Sequence, residues 1–490
     1  MKKTFLKYIV SLLVITTIVS SCKKDFLTQL PETTRVTENV YQTAGDFNTA
    51  AIGTYSTFKH NGLFGNFGVS SALLNLGEIP SDNVDYGFPR GTSVVNIFEL
   101  EDFNFSLSNI NFSNAWTGHY IGISRANTII NRIGKATFET ALKTRYEAEA
   151  KFLRGYFYFN LVRLFGDVQL VTTEFSDPNE GHGIQRTSAS KVYEQIISDL
   201  SFAEANLPET IGAAEAGRAS RWAAKALLGK VYLTQKNYAS AATKLNEVIA
   251  SGQFNVTANT YAAVFSPSTS FAANKDVILA VQYKSGNIGQ GSNIWNSSIP
   301  WGVGLSNTVW GVASGTGDGY FRPTLELEQS YEAGDLRKAA SMATSYQNGS
   351  TTVQERYPVK YRQNGIVFGD ADVDYPILRY ADVLLMYAEA LTEQNQAAVA
   401  IPFINQVRAR AGLAARPTTL TQDETRLLIE KERRSEFAFE GHRWFDLVRT
   451  GRYLPVMTSK GYATKEFHKL FPIPQRETDL NSSLGQNLGY

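Results

Sequence analysis

The chain has 490 residues, of which 43% are hydrophobic and 19% charged, and its formal net charge is +1 at pH 7. This balance provides no basic field for binding nucleic acid. The single cysteine excludes an internal disulfide bond.

The first 21 residues are typical of a bacterial secretory signal peptide. Three lysines precede an apolar run over residues 9–19, and two serines lie directly before Cys22. That run is about 11 residues long, whereas a helix that spans a bilayer needs about 20. The small-small-Cys ending resembles the lipobox of bacterial lipoproteins, so we expect cleavage before Cys22 and acylation at that residue. A signal peptide in which Cys22 is incidental is the alternative.

Lipidation would anchor an otherwise water-soluble body to a membrane surface. Each buried CH₂ of an acyl chain contributes about 0.8 kcal/mol, and two or more chains make the attachment stable. Because residues 1–21 carry three lysines and no acid, the mature chain would hold 44 basic and 46 acidic residues, a net charge of −2. We interpret residues 22–36, polar and containing Pro31, as the lipidated N-terminus and tether, and residues 37–490 as a single domain.

Residues 37–250 show mainly helical periodicity. In "KALLGKVYLTQKNYASAATKLNEVIASG", Gly229, Ala241 and Leu245 stand at the offsets of a tetratricopeptide helix pair. "YAEALTEQNQAAVAIPFINQVRARAG" repeats those offsets with Ala388 and Ala400. The sequence therefore predicts a mostly α fold with a broken array of tetratricopeptide-like pairs. Ordinary four-helix packing with coincidental offsets is the alternative.

Residues 252–374 form an insert rich in Gly, Ser, Asn and aromatic residues. "VILAVQY" within it is typical of a short strand, and most of the remainder is typical of loops, which often carry binding sites on a rigid frame. Asp370, Asp372 and Asp374 resemble the start of a calcium loop. However, Tyr375 and Ala381 replace the glycine and the glutamate that such a loop needs, so we expect a solvated turn.

Residues 375–490 form a helical C-terminal part. Thr421 and Glu424 predict a capping box at the start of a helix that includes "ERRSEFAFEGHRWFDLVRTGRY". Glu436 and Glu440 stand four residues apart, so we expect them to share a helix face and to need cations. The expected partners are Arg433, Arg443 and Arg449, in a structural charge network with Trp444 in the core.

Two loop stretches have the chemistry of a sugar site, which combines flat aromatic surfaces with short polar side chains. They are "GEIPSDNVDYGFPRG" and "SNIWNSSIPWGVGLSNTVWGVASGTGDGY". The alternative for each loop tryptophan is insertion into the scaffold. The candidate ligand-binding residues are Trp295, Trp301, Trp310, Asp82, Asn83, Tyr86 and Arg90.

The sequence lacks the usual signatures of an enzyme. It contains no H-E-x-x-H, G-x-S-x-G or P-loop pattern, and its five histidines lack metal-ligand spacing. "GTGDG" at residues 315–319 lacks a preceding strand, which makes it weak as a phosphate loop. We therefore expect no catalytic residue, no cofactor and no metal.

Four stretches together resemble the RagB/SusD family of nutrient-uptake lipoproteins of Bacteroidetes. They are the lipobox followed by "CKKDFL", then "YPILRYADVLLMYAEAL", "ERRSEFAFEGHRWFDLVRTGRY" and the terminal "FPIPQRETDLNSSLGQNLGY". The resemblance implies tetratricopeptide-like helix pairs packed against a loop-rich region, and an outward-facing position at the outer membrane. It also implies an oligosaccharide or, less often, a peptide ligand, and a SusC-like TonB-dependent transporter as partner. A helical scaffold for protein partners and a surface glycosidase are the competing hypotheses.

Overall fold

The fold is mostly α-helical, as the sequence predicts. The computed structural model describes residues 40–65, 71–87, 90, 94–175, 177–181, 183–305 and 309–490. Within these ranges the helices are α1 (Ala44–Tyr55), α2 (Ala72–Glu78), α3 (Val95–Glu101), α4 (Ile110–Ile133), α5 (Thr140–Phe165), α6 (Ala189–Asn206), α7 (Arg221–Thr234), α8 (Tyr238–Ala250), α9 (Tyr261–Val264), α10 (Ile294–Ser298), α11 (Leu325–Ser330), α12 (Leu336–Ser341), α13 (Tyr380–Glu393), α14 (Ala397–Arg410), α15 (Gln422–Glu436), α16 (Arg443–Arg449), α17 (Tyr453–Ser459) and α18 (Gln475–Leu480). Among the described residues, none of these helices has both the length and the apolar character needed to cross a bilayer.

The long helices form consecutive packed pairs. Neighbours in sequence pack together from α4 to α8, and α13 packs against α8, α14 and α15. The two units that the sequence predicts are the pairs α7–α8 and α13–α14, so this prediction is confirmed. Each pair turns through one residue in the left-handed region, Lys236 (φ 60°) and Asn395 (φ 61°). The two turns are equivalent in length, which explains why the sequence offsets repeat.

Close helix contact in the first unit depends on a glycine. A Cβ atom added to Gly229 in α7 would lie 2.6 Å from the side chain of Leu245 in α8. Any larger residue would require the Leu245 side chain or the two helices to shift. The small residue at this position therefore has the packing role that the repeat pattern predicts.

Two pairs of short antiparallel strands attach the insert to the rest of the chain, and a third pair lies within the insert. The strands are β1 (Val84–Asp85), β2 (Val277–Val281), β3 (Arg322–Pro323), β4 (Met342–Asn348), β5 (Thr351–Pro358) and β6 (Tyr375–Arg379). They pair as β1–β3, β2–β6 and β4–β5. Strand β2 lies in "VILAVQY", as predicted, and both β2 and β6 are buried at every position. Since β6 leads directly into α13, this pair joins the insert to the C-terminal helices.

One hydrophobic cluster extends through most of the structure, with members from Phe58 to Leu484 in all three parts of the chain. Helix α5 lies within it, with aromatic residues such as Phe152, Phe157 and Phe159 buried on several sides. Trp444 is also buried, as expected.

The long C-terminal helix predicted from the sequence is instead broken. Helix α15 begins with the predicted capping box of Thr421 and Glu424 but ends at Glu436. Phe439 and Gly441 then take positive φ values of 67° and 70° before α16 begins. Glu440 therefore does not share a helix face with Glu436, and that expectation is wrong.

The predicted partners of these two glutamates are also wrong. Arg379 of β6 lies between them and donates to Glu436 (2.8 Å) and to Glu440 (2.8 Å). Arg410 also contacts Glu436, and Lys360 contacts Glu440. The three arginines expected in this role pair elsewhere: Arg433 with Asp382 and Asp446, Arg443 with Asp82 and Glu430, and Arg449 with Glu389 and Asp446.

Candidate functional site

A tight turn in the insert presents Trp301 at the surface. The N–H of Val303 donates to the carbonyl of Pro300 (3.4 Å), and Gly302 adopts φ 73° at the third position of the turn. A positive φ at this position is the usual reason for a glycine in such a turn. Trp301 precedes this glycine and keeps 44% of its surface exposed.

The segment 315–319 runs antiparallel to this turn and supports it. Gly302 N–H donates to Gly317 O (3.0 Å), and Gly319 N–H donates to Ile299 O (2.8 Å). Gly317 must be a glycine, since an added Cβ would lie 2.2 Å from the carbonyl oxygen of Pro300. At the same edge Gly319 adopts φ +68°, and its added Cβ would lie 2.8 Å from the Cβ of Trp301. The backbone of these glycines therefore packs closely against Trp301 and its turn.

A second exposed aromatic ring flanks the other end of the same segment. Phe368 is 38% exposed, and its ring approaches to 2.4 Å from the position of a Cβ on Gly315. Val367 beside it is also exposed. The Cα atoms of Gly315 and Gly319 can be at most about 14 Å apart, which is the span of four extended residues. Two aromatic side chains thus flank one short loop. We call Trp301, residues 315–319 and Phe368 the Trp301 surface.

The segment 315–319 also carries two polar side chains. Thr316 is exposed, and the carboxylate of Asp318 is partly buried and accepts a hydrogen bond from Ser297 Oγ (3.2 Å). Burial raises the pKa of Asp318, and the Ser297 hydroxyl opposes this shift. Exposed aromatic faces and hydrogen-bonding groups on one surface are the chemistry that a sugar chain requires.

The structure brings part of the predicted stretch "GEIPSDNVDYGFPRG" to this surface. Strand β1 pairs with β3, and the ring of Tyr86 packs against Tyr320 at 5.1 Å between centroids. A Cβ on Gly87 would lie 3.4 Å from the carbonyl oxygen of Gly319. The loop after β1 therefore borders the Trp301 surface, although Tyr86 itself is buried.

The other two candidate tryptophans lie in the core. Trp295 has no exposed surface and donates from Nε1 to the carbonyl of Trp310 (3.0 Å). Trp310 is 1% exposed and packs against Tyr346 of β4 (5.0 Å) and Tyr357 of β5 (5.4 Å). Because Trp295 and Trp310 are both buried, neither ring has a free face for stacking, and this expectation is wrong. Trp295 and Trp310 instead fix the loop to the β4–β5 hairpin, as in the scaffold alternative.

Two of the predicted polar residues also belong to the scaffold. Asp82 is buried and pairs with Arg443 (2.7 Å) and Lys460 (2.6 Å). Burial alone would raise the pKa of Asp82, but these cations outweigh it and hold the pKa well below its usual range. Asn83 is buried, donates to Glu78 (3.0 Å), and accepts from Arg434 (2.9 Å).

Arg90 is exposed but already engaged. It donates to Asp102 (2.9 Å from Nη2) and lies 5.0 Å over the ring of Phe98. Of the seven loop candidates, Trp301 and Arg90 thus keep an exposed side chain. Cys22 lies outside the described residues.

Two residues of the Trp301 surface, Phe368 and Asp318, are not among the seven candidates. Asp318 lies within the predicted stretch "SNIWNSSIPWGVGLSNTVWGVASGTGDGY", but its "GTGDG" segment is weighed as a phosphate loop and Asp318 is not singled out. Phe368 lies in "NGIVFGD", where three bulky apolar residues stand between two glycines. Adjacent apolar residues in a glycine-bounded turn are the one sequence signal that could have indicated an exposed aromatic group.

The three aspartates that resemble a calcium loop hold a turn instead. Asp370 accepts from the N–H of Gly286 (2.8 Å), Asp372 from that of Ser285 (2.9 Å), and Asp374 from Tyr283 (2.9 Å). Over the described ranges, no group of three or more His, Cys, Asp or Glu side chains is placed to hold a metal ion.

Comparisons with known proteins agree with the fold. A profile described as "SusD family" matches residues 303–490, and one described as "Starch-binding associating with outer membrane" matches residues 78–233. A SusD-like protein of Formosa agariphila is 26% identical over 95% of both chains. Among solved structures, a "Laminarin binding SusD-like protein" is 27% identical with a TM-score of 0.77, over 92% of this chain and 100% of the other. "Surface glycan-binding protein A" from Bacteroides fluxus is 25% identical with a TM-score of 0.78, over the same shares of 92% and 100%. The two profile matches together span more than half of the sequence, and the chain belongs to the RagB/SusD family.

Proposed function

We propose that this protein is an outer-membrane lipoprotein that binds oligosaccharides non-covalently on the Trp301 surface. It would deliver them to a SusC-like TonB-dependent transporter for nutrient uptake. Because the site lacks an assembled set of reacting groups among the described residues, the proposed role is binding without chemistry on the ligand.

The exposed indole of Trp301 carries this proposal. A tryptophan that keeps 44% of its surface exposed, packed against a glycine backbone, has low conformational freedom to lose on binding. Its face can cover the C–H face of a sugar ring, while Asp318 and Thr316 can accept or donate at the hydroxyl edge. Phe368, from a later segment of the chain, offers a second apolar face beside Gly315.

The relatives support a glucan as the first ligand class to examine. One similar structure is a laminarin-binding protein, and one matching profile is described as starch-binding. The loops that form the Trp301 surface lie on the helical frame that these proteins share with this chain. A difference in loop sequence would change which glycan is bound without changing the frame.

The proposed anchor is an acylated Cys22. The family description names association with the outer membrane, which supports an envelope location. The polar tether over residues 22–36 would allow the body to move relative to the membrane while it remains attached. Delivery to a transporter then needs only a change in orientation of the bound body.

The test is binding of the mature protein to a polysaccharide panel that includes laminarin and starch, by retardation in affinity gels. We expect at least one glycan to retard the protein and no new reducing ends to appear during incubation. The proposal fails if no glycan retards it. Accumulation of reducing ends would instead support the glycosidase hypothesis, and binding of peptides alone would replace the glycan as ligand.

A further inference from the structure

A second concave site lies on the helical side of the molecule. It is a cavity of about 550 Å³ between α5, α7, β6, α16 and the chain end near Gln486. Ligand pockets usually enclose about 300–1,000 Å³, so the cavity has the size of a ligand site. None of its lining residues belongs to residues 252–374. It is therefore separate from the Trp301 surface.

Arg163 of α5 lines this cavity. Its guanidinium lies between the rings of Phe159 (4.2 Å) and Phe445 (4.1 Å) and donates to Asn160 Oδ1. In the described part of the chain no carboxylate forms an ion pair with Arg163, and its Nε has no hydrogen-bond acceptor. Burial lowers the pKa of Arg163 to about 10, and Asp446 and Asp382 oppose this shift only at longer range.

Three other cations at or beside the cavity already have carboxylate partners. Lys230 pairs with Asp382, Arg433 with Asp382 and Asp446, and Arg449 with Glu389 and Asp446. Burial lowers the pKa of His442, so this residue stays neutral at pH 7. These three cations are thus matched by three carboxylates. Arg163 has no carboxylate of its own. An enclosed charge without a counter-charge is unfavourable.

Other residues that line the cavity also favour an anionic ligand with apolar parts. Arg186 and Lys469 contribute positive charge at the lining, and the Asp167 carboxylate already accepts from the Ala189 N–H (2.8 Å). The walls also carry aromatic rings, including those of Tyr156 and Tyr193. Such a cavity combines apolar faces with the unpaired Arg163 guanidinium and further positive charge at the lining, which favours a compact anionic ligand.

We propose that this cavity binds a small organic anion, with Arg163 as the partner of its carboxylate or sulfate group. Both groups accept hydrogen bonds in the plane of a guanidinium, and the Phe159 and Phe445 rings leave that plane as the direction of approach. The site is independent of glycan binding on the Trp301 surface.

The first test is isothermal titration of the mature protein with sodium D-glucuronate, D-glucose 6-sulfate and D-glucose. We expect at least one of the two anions to bind and glucose to bind at least tenfold more weakly. The stronger of the two anions distinguishes a carboxylate from a sulfate ester as the natural group. The proposal is overturned if neither anion binds, or if glucose binds as tightly as the anions.

Asn160→Asp gives the sharper test, since it places a carboxylate on the side chain that already accepts from Arg163. This change neutralises the unmatched charge without removing the arginine. We expect anion affinity to fall at least tenfold while the melting temperature is kept or raised. Arg163→Met should cause a similar loss, and Trp301→Ala should leave anion binding unchanged. Wild-type affinity in a folded Asn160→Asp variant would exclude Arg163 as the anion partner.

Discussion

Trp310 and Trp301 lie nine positions apart but contact different surroundings. Trp310 is enclosed by Trp295, Tyr346 and Tyr357, whereas Trp301 stands on a glycine backbone at the surface. Aromatic rings contribute to stability mainly through the area they bury. The two tryptophans should therefore contribute to different properties of the protein, stability for Trp310 and binding for Trp301.

We expect Trp310→Ala to lower the free energy of unfolding by about 3–5 kcal/mol, as is usual for truncation of a buried aromatic residue. Trp301→Ala should lower it by much less, about 1 kcal/mol, because 44% of the side chain is already exposed. Urea unfolding of both variants measures the difference. Equal losses would show that Trp301 also serves as a core residue.

At the residue scale, the sequence predicts side-chain chemistry better than side-chain location. It indicates correctly that aromatic and polar groups gather in two loops, and Trp301 is one of them. It does not predict that Trp310 is buried, because Tyr346 and Tyr357 are 36 and 47 positions further along the chain. Asp82 shows the same limit, since its partner Arg443 is 361 positions away.

The helix pair α7–α8 depends on a close approach at one position. Gly229→Ala should lower the free energy of unfolding by about 1–3 kcal/mol, because the new methyl group would lie 2.6 Å from the Leu245 side chain. Differential scanning calorimetry or urea unfolding measures the loss.

Gly53→Ala in α1 is the matched control for this change. No atom lies within 4 Å of a Cβ built on Gly53. Alanine is the better helix former, so this variant should be more stable than wild type by about 0.5–1 kcal/mol. A stabilising Gly229→Ala would show that the Leu245 side chain or the helices adjust at little cost, and would contradict a packing role for this glycine.

The end of α2 is held to the turn after α15 by a buried carboxylate. Glu78 accepts hydrogen bonds from the N–H groups of Phe439 (3.1 Å) and Gly441 (2.9 Å). Burial nevertheless raises the pKa of Glu78 to about 7, above its usual value of 4.5. Between these two pH values the folded protein binds a proton that the unfolded chain has released. Ionisation of Glu78 therefore reduces stability as the pH rises from about 4.5 to 7.

The difference in unfolding free energy between wild type and Glu78→Gln isolates the contribution of Glu78, because the other titrating groups are the same in both proteins. From pH 5 to pH 8 the wild type should lose on the order of 3 kcal/mol of unfolding free energy relative to the variant. Chemical unfolding at several pH values measures this difference. A difference that is constant with pH would mean that Glu78 has an ordinary pKa.

Elements are predicted from the sequence where periodicity is local. The pairs α7–α8 and α13–α14 follow from offsets within about 25 residues, and β2 follows from a short run of β-branched residues. The break between α15 and α16 was missed, because the helical pattern continues through residues 437–442. The contacts of Arg379 and Glu78 that hold this break come from distant parts of the chain.

At the scale of the whole molecule, the proposed function requires attachment to an envelope. Labelling cells with radioactive palmitate should mark the wild-type protein and not a Cys22→Ser variant, because the acyl chains need the Cys22 sulfur and amine. The variant should also leave the membrane fraction during sedimentation. A Cys22→Ser protein that still sediments with membranes would contradict lipid anchoring at this residue.

The helical frame and the loop region have separate roles in the molecule. The frame buries a continuous core and carries the paired charges around Arg379, whereas the loops present the Trp301 surface. Loss of exposed loop side chains should therefore alter binding and leave folding intact.

The most direct measurement is the dissociation constant of the best glycan of the panel for three alanine variants, by isothermal titration. Trp301→Ala should weaken binding by about 10- to 100-fold, equal to about 1.4–2.8 kcal/mol. Phe368→Ala should weaken it less. Phe175→Ala is the control, since Phe175 is 39% exposed, close to the 38% of Phe368, but lies outside the Trp301 surface. Wild-type affinity in Trp301→Ala, or an equal loss in Phe175→Ala, would contradict the account.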